Sequence, residues 1–402
     1  MATMLEEAKL KGETAGPTAY VPLPDFIQPE HYQREVDEIF RRVWLPVCGT
    51  LDLPQPNSYL VLDLPTLRTS LLIMRGADGI VRAFHNICRH RGNKLVREGT
   101  GCKPGIACGF HGWTYATDGR LIGVTDEAQF AGFDRAAHGL VPVTTEVWEG
   151  LVFVNFDAAP SETLRQWLEP IYDQYRGYFN GLEKIGAWQV DAACNYHLVV
   201  NAFTEGYHTL FIHKHTVPDY QGGRKNPLRH RPNMELMRRH TRYSAPANPE
   251  HHVPPVEGLA FSLGRRLFPE FRVENPDLPA GVNPAKVKDW AFDVIEFFPN
   301  MVLLTGAWWT MNMWYWPIDA GHTRVHVEAW AYKARKPGDR LAHAYFKARA
   351  REVFREDINT LEASQEMLMS GAMPHVVLSR QEVALQHHYQ VLGEMLHDRR
   401  NG

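Results

Sequence analysis

Two short stretches of this chain carry residues suited to holding a metal: Cys88-Arg89-His90-Arg91-Gly92 and Cys108-Gly109-Phe110-His111-Gly112-Trp113. The first reads C-x-H and the second C-x-x-H, so each delivers one thiolate and one imidazole. A glycine beside each histidine lets the backbone come close to a bound group and offer it N–H donors. Two thiolates and two imidazoles can hold a structural zinc ion. Zinc-finger spacing usually keeps the two cysteines together and the two histidines together, whereas here they alternate.

One Cys–His pair per loop fits a Rieske [2Fe–2S] cluster, with Cys88 and Cys108 on one iron and His90 and His111 on the other. Neutral imidazoles in place of two thiolates raise the potential above that of an all-cysteine cluster, so the chemistry is single-electron transfer. With His90-Arg91-Gly92-x-x-Leu95 and His111-Gly112-Trp113-x-Tyr115 around the ligands, the stretch closely resembles the Rieske domain of the ring-hydroxylating oxygenase family.

A second group is Asn201-Ala202-Phe203-Thr204-Glu205-Gly206-Tyr207-His208, continuing to His213-Lys214-His215. On one helix Asn201, Glu205 and His208 share a face. His208 and His213 would then lie about 140° apart and His208 and His215 nearly eclipsed, so helical geometry alone pairs His208 with His215. The family resemblance points instead to E/D-x-x-H-x4-H, matched at Glu205, His208 and His213, with the helix ending or bending before the second histidine. It implies His208 and His213 as ligands of a mononuclear Fe(II), with His215 the substitute. Glu356-Asp357-x4-Glu362-x2-Gln365 resembles the family's late segment and implies Asp357 as the third ligand, with Glu356 its rival. Two histidines and one carboxylate form the facial triad of non-haem iron oxygenases. The resemblance also implies that Glu205 couples a cluster histidine of one subunit to His208 of the next. Glu in place of the commoner Asp resembles the subgroup acting on quaternary ammonium compounds such as carnitine and choline. Asn201 is placed either near the iron or in a buried polar cluster.

These residues must be positioned by 402 residues, 44% hydrophobic and 22% charged, enough for two domains with cores of their own. The net charge of −3 suggests neither a nucleic-acid nor a membrane-surface partner. The absence of a long apolar run argues against a membrane span. The polar, acidic start Met1-Ala2-Thr3-Met4-Leu5-Glu6-Glu7 is unlike a signal peptide. Cys48, Cys102 and Cys194 remain after the cluster ligands, an odd number that argues against a disulfide framework and for reducing cytoplasm. Residues 28–42 show helical periodicity, with Tyr32, Val36, Ile39 and Phe40 recurring. From Trp44 to about Phe156 short alternating strands follow, with turns at Ala77-Asp78-Gly79 and Thr117-Asp118-Gly119. Residues 160–177 read as helical, 290–316 and 322–333 as consecutive strands, and 198–213, 338–369 and 379–397 as helices, the last opened by a Ser379/Glu382 capping box. Residues 217–287 read as long loops with a few short strands.

The expected fold is α+β: an N-terminal helical segment over 1–43 packing with the catalytic domain, an all-β Rieske domain over 44–157, and a catalytic domain over 158–402. The family implies for the last an antiparallel sheet covered by helices (helix-grip or START-like). Strand alternation puts Trp309, Met311 and Met313 on one face and Trp308, Thr310 and Asn312 on the other. An aromatic and Met-rich wall suits an apolar aromatic or polycyclic substrate, hydroxylated or N-/O-dealkylated with O2. It also permits an aromatic cage for a quaternary ammonium group. A third reading is an electron carrier whose second site is degenerate. No G-x-G-x-x-G opens a βαβ unit, so electrons are expected from a separate reductase, with or without a ferredoxin. The resemblance implies a homotrimer, with or without a small second subunit.

Overall fold

The computed structural model describes residues 18–231, 233–264 and 278–397. The acidic start and residues 265–277 of the expected 217–287 loop region lie outside them. The chain divides into two compact units, residues 36–167 and, together, the residues up to 35 and those from 168 onward. The division falls inside the helical stretch 28–42. The helix Pro29–Glu35 goes with the larger unit, and a π-helical turn, Val36–Phe40, packs against Pro65–Leu67 in the smaller one.

The smaller unit is built on a seven-stranded antiparallel sheet. Its strand order is Leu45–Gly49, Leu151–Asn155, Pro142–Trp148, Val81–His85, Thr69–Arg75, Ser58–Leu64 and Thr100–Cys102. A second sheet joins Gly105–Ala107, Thr114–Ala116 and Leu121–Gly123. Both expected turns fall between paired strands, Ala77-Asp78-Gly79 in the main sheet and Thr117-Asp118-Gly119 in the small one. Cys88 and Cys108 are buried in one apolar cluster with Leu95, Ile106, Trp113 and Tyr115. The loops that carry them are therefore held by packing on the strands that flank them.

The larger unit has a seven-stranded antiparallel sheet in the order Leu182–Ala192, His322–Tyr332, Trp309–Asp319, Met301–Thr305, Trp290–Phe297, Thr241–Pro246 and Met234–Leu236. The stretch 290–316, which reads as continuous strand, is three strands. Pro299-Asn300 and Gly306-Ala307-Trp308 make hairpins, and Pro and Gly are the residues that interrupt a ladder. Thr241–Pro246 and the helix Pro255–Leu263 emerge from the region read as loops.

The helix Tyr196–Thr204 packs on the central strands, and the 32-residue helix Pro337–Leu368 packs on it. The first is opened by Asn195, whose side chain accepts the N–H of His197 at 2.9 Å, as an N-cap should. The long helix expected over 198–213 is two. Glu205 is extended (φ −121°, ψ 177°), and a second, four-residue helix runs Thr209–Ile212. The Ser379/Glu382 capping box is present and leads into the helix Val383–His397. The stretch 160–177 holds only a short helix, Leu164–Leu168, and a 3-10 turn, Ile171–Asp173. Among the described residues no helix is long and apolar enough to cross a membrane.

Candidate metal centres

In the smaller unit the two ligand loops are one turn built twice. Cys88 N–H donates to the Asn93 carbonyl at 2.8 Å, and Gly92 N–H returns to the Cys88 carbonyl at 3.0 Å. In the other loop Cys108 N–H donates to the Trp113 carbonyl at 2.7 Å, and Gly112 N–H to the Cys108 carbonyl at 2.9 Å. Gly92 (φ 77°) and Gly112 (φ 74°) close these turns in the left-handed region, where a Cβ brings strain. His90 and His111 sit at successive positions of this shared turn, which is why one motif is C-x-H and the other C-x-x-H.

The two imidazoles meet edge to face with centroids 4.6 Å apart, and His90 stacks on Trp113 at 4.9 Å. The Nδ1 atoms of both are buried and have no hydrogen-bond partner among the described residues. Two orphaned ring nitrogens beside two buried thiols are the donor set of a Rieske cluster, so the residues fit that group.

Donors to sulfur are also in place. Phe110 N–H donates to Cys108 Sγ at 3.5 Å, and Asn93 Nδ2 lies 3.6 Å from the same sulfur. Tyr115 Oη accepts the Arg89 N–H at 2.9 Å, which leaves its own O–H for Cys88 Sγ at 3.4 Å. Burial pushes the Cys108 thiol up, but the N–H of Phe110 and the other donors outweigh it and hold it below the ordinary value. Burial and the neighbouring Cys88 raise Tyr115.

In the larger unit the bend at Glu205-Gly206 decides which histidines meet. His208, His213 and Asp357 place their ligand atoms within 4.8 Å of one another. Asp357 Oδ1 lies 3.2 Å from His213 Nε2 and 3.6 Å from His208 Nε2. That oxygen is buried and has no aligned hydrogen-bond partner among the described residues. His215 is exposed and stands apart from this group. Each histidine turns Nε2 toward the shared point and Nδ1 toward a carboxylate. His208 Nδ1 pairs with Glu205, whose carboxylate also takes the N–H of Tyr207. His213 Nδ1 pairs with Glu356 at 2.9 Å, and Glu356 in turn accepts from Thr216 Oγ1 at 2.5 Å. Carboxylates on Nδ1 fix the tautomer and aim Nε2. Glu356, the rival for third ligand, thus lies behind His213, on the side away from the shared point. Burial lowers His213, and Asp357 and then Glu356 more than restore it, so its net shift is upward. Two imidazole nitrogens and one buried carboxylate with open positions fit mononuclear iron. Asn201 points elsewhere: its Nδ2 donates to Tyr389 Oη at 2.9 Å.

These groups open on a cavity of about 150 Å³. Trp309 and Met311 line it as strand alternation anticipates, with Tyr243, Phe292, Leu304 and Phe346. Three arginines in the wall were not anticipated: Arg229, Arg231 and Arg349. Arg349 pairs with Glu257 at 2.6 Å and lies over Tyr220. Arg229 donates to the carbonyls of Thr209 and Pro218 at 2.5 and 2.6 Å. Arg231, half-buried, lies over the Tyr243 ring at 4.7 Å, and among the described residues its buried Nε has no hydrogen-bond partner. The sequence offers only the run Arg229-His230-Arg231, in a segment without the periodicity that would assign it to the wall.

An all-β unit with two Cys–His loops, and a helix-covered sheet bearing a two-histidine, one-carboxylate group, together define a Rieske-type non-haem iron protein. Residues 43–140 match the Rieske [2Fe-2S] domain, and residues 179–398 match the ring hydroxylating alpha subunit (catalytic domain). The chain belongs to the ring-hydroxylating alpha subunit family, whose cofactors are the Rieske cluster and a mononuclear iron.

It is 32% identical over 200 residues to the glycine betaine monooxygenase oxygenase subunit of Chromohalobacter salexigens, which is 48% of this chain and 43% of that protein. It is 28% identical over 205 residues to the anthranilate 1,2-dioxygenase large subunit of Acinetobacter baylyi, 49% of this chain and 43% of that protein. The chain therefore spans less than half the length of these curated relatives. In fold it matches a solved quaternary ammonium Rieske monooxygenase with a TM-score of 0.75 at 21% identity, over 93% of this chain and 95% of that one.

Proposed function

We propose that this chain is the terminal oxygenase subunit of a multicomponent Rieske oxygenase. In this reading Cys88, Cys108, His90 and His111 hold the cluster, and His208, His213 and Asp357 hold the iron. With both bound, they supply single electrons and the reductive activation of O2. The chain's own residues do the rest. Glu205 and Glu356 hold the two imidazoles in register, and the apolar wall excludes water from the reacting carbon. Electrons come from a separate reductase, with or without a ferredoxin. Glu205 carries them between a cluster histidine of one copy and His208 of the next in a homotrimer. The assembled triad speaks against an electron carrier with a degenerate second site.

For the substrate we infer a zwitterion that carries a quaternary ammonium group and a carboxylate, oxidised at a carbon beside nitrogen and losing it as an aldehyde. One observation carries this reading: Arg231 stands in an aromatic wall with its buried Nε unpartnered. A buried N–H without a partner is costly, and a substrate carboxylate accepting from it relieves that cost. Phe292 and Trp309 offer π-faces for the cation. The glycine betaine relative supports the same class. An apolar aromatic substrate is the second reading, favoured by the apolar lining, and the anthranilate relative supports an aromatic ring though with a carboxylate on it.

A single turnover of reduced, iron-loaded protein with O2 separates the two. Trimethylammonium carboxylates, aromatic carboxylates and uncharged polycyclic arenes would be offered together, with products read by mass and aldehyde assayed apart. Aldehyde with a demethylated betaine is the expected result. Oxygenated arene without aldehyde overturns the zwitterion and leaves the oxygenase.

A further inference from the structure

A second two-histidine, one-carboxylate group lies in the larger unit, separate from the His208–His213–Asp357 triad. Glu35 ends the helix Pro29–Glu35 and is buried, as is His197 near the start of the helix Tyr196–Thr204. Glu35 Oε1 lies 2.8 Å from His197 Nε2 and 2.9 Å from His31 Nε2. The three ligand atoms are mutually within 4.8 Å. His31 and Glu35 are four residues apart, so they share a helix face.

The outer nitrogens are also engaged. His31 Nδ1 is 3.4 Å from Asp25 Oδ1. His197 Nδ1 is 3.2 Å from His388 Nε2, and His388 Nδ1 is 2.5 Å from Glu296 Oε1. Each inner imidazole thus aims Nε2 at one point and anchors Nδ1 through a path that ends on a carboxylate. The triad uses the same construction.

Counting protons distinguishes a metal site from a hydrogen-bonded cluster. The path Glu35···His197···His388···Glu296 has three contacts, and each needs a proton if all are hydrogen bonds. Two neutral imidazoles bring only two. The third would make a buried imidazolium or a buried neutral acid. A cation on His197 Nε2 closes the count: His197 Nδ1–H donates to His388, and His388 Nδ1–H donates to Glu296. His31 gives a second sign. Its Nε2 is buried and makes no aligned hydrogen bond among the described residues, although Glu35 Oε1 is close. Tetrahedral ligands about 2.1 Å from an ion stand about 3.4 Å apart, so binding an ion would open the 2.8 and 2.9 Å separations by about half an ångström.

We propose that His31, Glu35 and His197 bind a divalent transition-metal ion of the zinc class, which ties the N-terminal helix to the helix that leads to Glu205. Two nitrogens and one oxygen suit such an ion. The proposal does not depend on the substrate assigned above.

The test is metal analysis of the purified holoenzyme, loaded with cluster and iron and given one equivalent of Zn2+ before desalting. The expected result is one zinc per chain beyond the cluster and mononuclear iron, with X-ray absorption at the zinc edge showing imidazole and oxygen neighbours. His31→Gln and Glu35→Gln should each lose that zinc, keep their iron and the cluster's visible spectrum, and abolish a Zn2+-dependent rise in Tm seen with the unaltered chain. If either variant fails to fold, the unaltered chain's zinc count and edge spectrum still decide. Absence of retained zinc, or zinc bound without imidazole, overturns the proposal and leaves a proton-sharing cluster.

Discussion

The cluster loops and the iron triad solve the same problem, holding several donor atoms around one point, in opposite ways. The loops are neighbours in sequence, closed by the same pair of backbone hydrogen bonds and sealed by Trp113 and Tyr115. The triad is drawn from a broken helix and from the middle of a helix far down the chain, and no local turn brings these together. A locally closed site is set by turn chemistry, whereas an assembled site depends on the packing of whole elements. The first should tolerate disturbance of the second.

The largest effects should come from the ligands themselves. His208→Ala is expected to abolish turnover while the reduced cluster keeps its visible and EPR signatures. Cys108→Ser is expected to remove those signatures and turnover together. Loss of the cluster signal in His208→Ala would break the comparison, since the two centres would then not be independent.

A residue that only orients a ligand sharpens it. Glu356→Gln keeps the shape but weakens the hold on His213 Nδ1, and iron affinity should fall about 10–100-fold. An iron titration followed by activity and metal content measures this. Unchanged affinity would mean that the long helix alone positions His213.

Next comes the cavity wall, which belongs to the assembled site. Arg231→Gln should raise KM for a carboxylate-bearing substrate by about 30-fold, corresponding to about 2 kcal/mol of lost charged pairing, with kcat little changed. An equal rise in KM for an uncharged analogue would show that Arg231 shapes the wall without reading charge.

The smallest effect is in the local site. Tyr115→Phe removes one O–H donor from Cys88 Sγ. At about 1 kcal/mol for one hydrogen bond, the cluster potential should fall by about 40 mV, with no change in iron content. A redox titration monitored by the visible spectrum checks it. A potential that stays put would place the Tyr115 proton elsewhere.

The failures of sequence reading follow the same division. Treating 198–213 as one helix pairs His208 with His215, because an unbroken helix eclipses them. The extended Glu205 removes that pairing and brings His213 in. Adjacent carboxylates on one helix, Glu356 and Asp357, could not be told apart by spacing, since either reaches inward after a small rotation. Asp357 lies with the ligand nitrogens, while Glu356 holds a ring from behind. The run 290–316 carried strand character throughout, and only Pro299 and Gly306 marked where it folds into hairpins.

The sequence by itself pointed to the two Cys–His pairs that the fold brings together, the β character of the unit around them, the alternating wall at Trp309 and Met311, and the family. All of these rest on interactions between near neighbours or on a two-residue period. Tertiary structure decided which carboxylate meets His208 and His213, which histidine is left outside, and that Arg231 enters the cavity wall. It also decided that His31, Glu35 and His197 converge. Those outcomes depend on how a helix and a sheet from distant parts of the chain pack, and side-chain spacing along one segment carries no record of what another segment will bring against it.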